Sequence, residues 1–251
     1  IPGFRETFTE IYAQFDAAIE SKYSREQVER RIAELDADPV IAAGWAATKA
    51  RIEAQAAYYR KAGVFVCQGS GDTATHKLFV ERAYQLLNAT GYLSYVVPSG
   101  IYSDLGTKGL REMLFNNGRV EYFFNFSNER WFFAGVHHAF HFTLLGAQKG
   151  GHRDHFWATF RYNPRVAIAP DQLHNFLANP DNLIRIDLNS VERLSPSSLS
   201  IMDFDSQMDY QVVVRVYSKW HVLDEPLPGI WAVKLNAEFH ATTDRDLFNQ
   251  S

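Results

Sequence analysis

A single cysteine, Cys67, excludes an internal disulfide in these 251 residues, and so sparing a use of thiols fits a reducing, cytoplasmic compartment. No apolar run reaches the roughly 18 residues that a membrane-spanning helix needs, so no membrane partner is expected. No basic and apolar leader opens the chain. Basic residues are not in excess: 25 Lys and Arg against 29 Asp and Glu leave a net charge of −4. That excludes a generally basic nucleic-acid-binding surface and confines any such contact to local groups. Repeats and low-complexity tracts are missing too. The first residue is Ile1 and not Met, and a helical pattern follows at once, so the expectation is a piece of a longer polypeptide.

What is present is an ordinary globular balance, with 46% hydrophobic and 22% charged residues. The length allows one large domain or two modest ones with a real core. Aromatics are in surplus at 14%, 19 of them Phe. Such a surplus serves cores and interfaces, and it is also what a base-stacking site is built from.

Residues 1–62 read as a helical insertion. Phe4, Phe8, Ile11, Tyr12, Phe15 and Ile19 recur at three and four, the stripe of an amphipathic helix. "SREQ" at 24–27 is a capping-box pattern ahead of Val28, Ile32 and Leu35. Asp38-Pro39 breaks that run, and a third helix carries Ile41, Trp45 and Ile52 toward Tyr59.

From Gly63 the pattern turns to α/β. "HKLFVERAYQLL" predicts a helix with Leu78, Phe79, Ala83, Leu86 and Leu87 on its inner face. "YLSYVVP" lacks clean alternation, which predicts a central strand buried on both faces. "TKGLREMLFNNG" predicts a helix with Leu110, Met113 and Leu114 inward and Gly118 as its C-terminal cap. "VEYFFNF" is the next strand, and a strand, crossover and strand of this length make a parallel pair. "AFHFTLLGAQ" follows too closely for another crossover, so it should return antiparallel as a hairpin. "DHFWATFRY" adds a further strand. Beyond Asn163 the reading is a helix at "PDQLHNFLANP", a strand at "NLIRIDL", a loop at "RLSPSSLS" and a long helix at "MDYQVVVRVYSKWHVL"; "GIWAVKLN" ends the legible part. The boundaries are 1–62, 63–162 and 163–251, the last a downstream segment that begins a DNA-recognition region.

Several stretches could carry chemistry. Gly69-Ser70-Gly71, after an apolar strand and before a helix, has the form of a phosphate or cofactor loop. A dinucleotide fingerprint also wants an acidic residue at the end of the next strand, and that strand ends in Val-Val-Pro-Ser. An ordinary loop is the other reading. His137, His138, His141, His152 and His155 cluster without a Cys or a carboxylate at ligand spacing, so no metal site is expected. On a strand His137 and His141 would share one face, with His138 on the other. Cys67 has no basic neighbour in sequence to activate it. In "NERWFFAGVHHAF", three aromatics lie on the connection between two strands; they either cap a core or face a ligand.

The blocks "VVPSGIYSDLGTKGLREMLFNNGRVEYFFNF" and "WFFAGVHHAFHFTLLG" resemble the second half of the catalytic domain of adenine-specific DNA methyltransferases. The subgroup is the one found in single-chain restriction-modification and related phage-defence enzymes. The resemblance covers about residues 60–150, and "GSGDTATHKLFVERAYQLL" is similar to the segment preceding those blocks. It implies a partial Rossmann-like methyltransferase sheet with an antiparallel terminal hairpin, preceded by the helical insertion. It implies S-adenosyl-L-methionine as cofactor, bound mainly by an upstream half. Its partners would be double-stranded DNA and the remainder of the same polypeptide. Pro98 and Ser99 would line the active-site wall. Phe133 would stack on the flipped adenine, with Trp131 or Phe132 taking that place if the register slips. Lys108, Arg130, His137 and His138 would be DNA contacts.

The family's Asn-Pro-Pro-aromatic catalytic motif is absent. The chain has no Pro-Pro pair, and Asn163-Pro164 and Asn179-Pro180 lie downstream and lack the second proline. No catalytic residue is therefore assigned here. Two other readings stand beside this one: a non-catalytic DNA-binding or scaffolding module of the same fold, and an unrelated α/β enzyme using the Gly69-Ser70-Gly71 loop for a phosphate.

Overall fold

The structure is a computed structural model and describes residues 6–21, 23–61, 63–68, 73–220 and 229. The first part is helical: α1 (Glu6–Ala13), α2 (Ala18–Ser21), α3 (Arg25–Leu35) and α4 (Pro39–Lys61). The predicted stripe is interrupted, because the chain leaves the helix after Ala13 and Asp16 Oδ1 accepts a hydrogen bond from the Ala18 amide at 3.0 Å. Phe15 faces solvent as a result; the side chains of Phe4 and Phe8 lie outside the described residues. The capping box at Ser24 forms with both reciprocal bonds, and Pro39 opens α4. Tyr12, Ile19 and Ile32 make a small core on which Val28, Leu35, Ile41 and Trp45 pack. The Tyr12 hydroxyl donates to Asp36 Oδ1 at 2.5 Å.

The second part is α/β. Its elements are α5 (Thr75–Leu86), β1 (Tyr92–Pro98), α6 (Gly100–Ser103), α7 (Lys108–Asn117), β2 (Gly118–Ser127), β3 (His141–Lys149), β4 (His155–Arg161), α8 (Leu173–Ala178), β5 (Ile184–Asp187), α9 (Leu188–Leu194) and α10 (Gln207–Tyr217). The five strands form one sheet in the order β1-β3-β2-β4-β5. β3 runs antiparallel to both β1 and β2, so β1 and β2 are parallel with β3 between them. β4 is parallel to β2, and β5 antiparallel to β4. The crossover pair and the returning hairpin strand are thus as the spacing predicts.

One sheet face carries Leu93, Val97, Phe123, Leu145, Ala147, Ala158 and Phe160, and it packs under α5, α7 and the downstream helices as a single core. The described residues after Asn163 add β5 to this sheet and Val191, Ile201, Phe204 and Tyr210 to this core. α9 occupies a stretch read from sequence as the end of a strand and the start of a loop. α10 stops at Tyr217, and "GIWAVKLN" lies outside the described residues except Gly229.

Two expectations are corrected. β1 alternates between buried and exposed, and it forms the edge of the described sheet with Tyr92 and Val96 open to solvent. α5 turns a different face inward: Lys77, Val80, Glu81 and Tyr84 are buried, while Phe79 and Leu86 are exposed. The reason is polar. Glu81 Oε1 accepts from the amides of Val66 (2.5 Å) and Cys67 (3.1 Å), and its other oxygen accepts from Gln68. A carboxylate that satisfies buried amides belongs inside even where an apolar stripe points elsewhere. Gly118 is the C-cap of α7, as the sequence predicts, in an extended conformation. It is a glycine because a Cβ there would stand 2.8 Å from the Gln148 carbonyl oxygen and 3.0 Å from the Tyr84 hydroxyl.

Candidate functional site

β1 and β2 point the same way, so the corner after Pro98 and the loop after Ser127 emerge on one rim, the carboxyl end of the parallel strands. In open α/β sheets that rim is where ligands bind. Pro98 ends β1 exposed, in register with Phe142 of β3. The Ser99 amide donates to the His141 carbonyl at 3.3 Å, and Ser99 precedes α6 without capping it through its side chain. At Gly100 a Cβ would stand 2.2 Å from Asp104 Oδ2, so any larger residue would displace the exposed Asp104 carboxylate from the corner. The Pro-Ser-Gly corner therefore stops the strand, turns the chain at once and leaves a half-exposed serine on the rim.

Arg111, which the helical stripe of α7 gave no reason to notice, holds this corner. It is completely buried. Nη1 donates to the Ile101 carbonyl (3.0 Å) and Thr107 Oγ1 (2.6 Å), and Nη2 to the carbonyls of Asp104 (2.7 Å) and Ser198 (2.8 Å). Burial pushes its guanidinium down to about 10, which leaves it charged at neutral pH. One cation thus ties the corner, α7 and the downstream segment together.

The loop between β2 and β3, residues 128–140, carries the aromatic run. Trp131 takes a left-handed conformation, φ 57° and ψ 47°, uncommon for a bulky residue. The three rings then part company. Phe132 packs half-buried against Phe126 (6.1 Å) and Phe142 (5.2 Å). Trp131 is 57% exposed and Phe133 41% exposed. Phe133 meets Phe142 edge to face, with 5.1 Å between centroids. Because Phe142 is the register partner of Pro98, the structure brings Phe133 to the rim beside the Pro98–Ser99 corner. Phe132 is the ring that caps the core.

Arg130, His137 and His138 share the loop with Phe133, while Lys108 starts α7 just past the corner. His137 and His138 lie on this loop and not on a strand, which begins at His141; the alternating placement read from the sequence is corrected accordingly. His138 Nδ1 is 3.1 Å from Glu129 Oε1, and Lys108 Nζ is 3.5 Å from Glu112 Oε1. Arg130 donates to the Pro164 carbonyl at 3.5 Å, and His137 Nδ1 accepts from the Ala139 amide at 3.2 Å. At the same end of the sheet His141 stacks on Tyr162, with centroids 4.1 Å apart and planes within 3°. The Tyr162 and Tyr102 hydroxyls are 2.5 Å apart. Among the described residues no group of three or more His, Cys, Asp and Glu could hold a metal ion. Burial, and then Glu81, push the Cys67 thiol up to about 11, so it carries no thiolate at neutral pH. The Gly69-Ser70-Gly71 loop lies outside the described residues.

Residues 48–132 match the model of a family described as Eco57I restriction-modification methylase. The match takes in α5, the corner, α7 and β2, and it ends one residue before Phe133. No curated protein matches the chain. Among solved structures it is similar to the type IIG restriction endonuclease BpuSI, at 18% identity and TM-score 0.41 over 65% of this chain and 18% of that one. It is also similar to the EcoKI M protein of a type I restriction enzyme (13%, 0.41, 58% and 43%) and to a chain of a type I restriction-modification system (12%, 0.40, 60% and 37%). The chain therefore spans 18% to 43% of the length of these structures. The likeness to restriction-modification methylases read from the sequence stands on the matched segment.

Proposed function

We propose that the chain is part of a cytoplasmic DNA adenine methyltransferase of a restriction-modification, phage-defence type, dependent on S-adenosyl-L-methionine, and that these residues form the wall for the target base. The observation that carries the reading is Phe133: a large apolar ring left 41% exposed on a loop at the carboxyl rim, beside Pro98 and Ser99. Chemistry on a base within a duplex requires the base to leave the stack, and an aromatic ring replaces lost stacking for about 1–3 kcal/mol. The matched segment 48–132 supports the methylase class. β1 supports incorporation into a larger sheet, since an apolar strand lies at the edge with Tyr92 and Val96 open. Lys108, Arg130, His137 and His138 surround the same rim as candidate contacts to the DNA backbone.

Two clefts among the described residues are lined by Asp154, Arg185 and Tyr210 and by Cys67, Glu81, Asn117 and Lys149, away from the rim. In this reading S-adenosyl-L-methionine is held by chain outside these residues, and no step is assigned to it here.

The test uses the complete methyltransferase polypeptide and duplex DNA with 2-aminopurine in place of the target adenine. Phe133→Ala should weaken target engagement by about 1–3 kcal/mol, with the melting temperature barely moved. Phe133→Trp should retain more than Phe133→Leu, because the need is for a flat π face. A fall of many degrees on Phe133→Ala with the fluorescence response intact would make Phe133 a core residue and leave the stacking role to Trp131.

A further inference from the structure

We propose that Asn128 is a positioning residue whose buried carboxamide fixes the presentation of Phe133 to an extruded base; this rests on the stacking reading of Phe133. Asn128 is completely buried at the end of β2, where the chain leaves the sheet. Its Oδ1 accepts from the Phe133 amide at 2.9 Å, and its Nδ2 donates to the Phe133 carbonyl at 2.9 Å and to the Val136 carbonyl at 2.7 Å. Its own backbone closes the loop at both ends, donating to the Phe140 carbonyl and accepting from the Trp131 amide, each at 2.8 Å. Both donors and the acceptor oxygen of the side chain bond to this one loop, and both the amide and the carbonyl of Phe133 are gripped.

That grip matters because of how little else holds Phe133. Its ring meets Phe142 edge to face and is 41% exposed, so its direction depends on the backbone of residue 133. A carboxamide both accepts and donates, as clamping an amide and a carbonyl of one residue demands. A carboxylate only accepts, a hydroxyl is too short to span both, and an apolar group would leave the Phe133 amide and the Val136 carbonyl, both partly buried, without this partner. Misplacing a positioned group by about 1 Å costs on the order of a hundredfold in rate.

The experiment is a double-mutant cycle in the complete methyltransferase: Asn128→Ala, Phe133→Ala and both together, read by kcat/KM for methyl transfer and by 2-aminopurine fluorescence. Asn128→Asp, which keeps the acceptor and loses the donors, serves as a second variant should the alanine protein fail to fold. Hydrogen exchange across residues 131–136 reports the loop directly. The expected result is a loss of about a hundredfold in kcat/KM for Asn128→Ala, faster exchange of the Phe133 amide, and less than about twofold further loss in the Phe133→Ala background. Equal losses from Asn128→Ala in both backgrounds would overturn the proposal and make Asn128 a structural residue. So would faster exchange with an unchanged base signal. Phe133→Ala that leaves turnover and fluorescence untouched would instead sink the stacking reading, and this proposal with it.

Discussion

At the scale of single residues, Arg111 and Trp131 decide how the rim is built. Arg111 has no carboxylate in hydrogen-bond contact; its charge is spread over three carbonyls and a hydroxyl. Replacing it removes the donors to the Ile101 and Ser198 carbonyls and leaves a cavity, so Arg111→Ala should destabilise the chain by about 2–5 kcal/mol, measured by urea unfolding. Arg111→Lys should recover little, because one ammonium on a flexible stem cannot serve four acceptors set around a planar fork. A variant as stable as the parent would refute the clamp. Trp131 stores backbone strain of about 1–3 kcal/mol in its left-handed turn. That turn lets consecutive rings serve opposite purposes, Phe132 closing the core while Phe133 stays open.

At the scale of elements, polar side chains break the apolar pattern twice. In the helical part, Asp16 interrupts the stripe by accepting from the Ala18 amide and from Arg31 Nε at 2.9 Å. The Arg31 bond first, and the Ala18 amide second, hold its carboxyl below the ordinary value of 3.8. A depressed carboxylate gives stability that is present above its unfolded value and is lost as the pH falls through the folded one. The helices around Tyr12 should therefore weaken on acidification below about 3.8. The stability gap between parent and Arg31→Ala should close over the same range, followed by circular dichroism. A gap that stays constant to low pH would exclude the pair as a contributor. In α5 the same competition turns the helix: Glu81 and Lys77 go inside to meet backbone groups, and Phe79 and Leu86 are left outside.

At the scale of the whole molecule, a five-stranded sheet with β3 between β1 and β2 places the corner and the aromatic loop on one rim. In the proposed reading S-adenosyl-L-methionine is held by chain outside these residues. Calorimetry on the 251-residue chain should accordingly show no micromolar affinity for S-adenosyl-L-methionine, whereas the complete methyltransferase should bind it. Micromolar binding to the chain alone would overturn the placement of the cofactor outside these residues. The downstream segment is tied in by β5, by Tyr210 and by Arg111 reaching the Ser198 carbonyl. Deleting it should expose the core face around Phe156 and Phe160.

The amino-acid sequence by itself determined whatever depends on neighbours in the chain. The Ser24 capping box, the break at Pro39, the five strands and the direction of β3 relative to β2 all follow from local spacing and turn length. On the same footing the rings Trp131, Phe132 and Phe133 stand out together on one connection, as core caps or ligand contacts; Phe133 is singled out among them by the family resemblance. Three things were left to the tertiary structure. Glu81 goes inside because the amides of Val66 and Cys67, 15 and 14 residues away, need an acceptor. β1 reads as a doubly buried strand, yet what covers a strand is set by its neighbours in space. The division of labour among Trp131, Phe132 and Phe133 depends on one left-handed residue and on Phe126 and Phe142 meeting the loop. The periodicity of an apolar pattern shows which residues could be buried together; hydrogen bonds between segments distant in sequence decide which of them are.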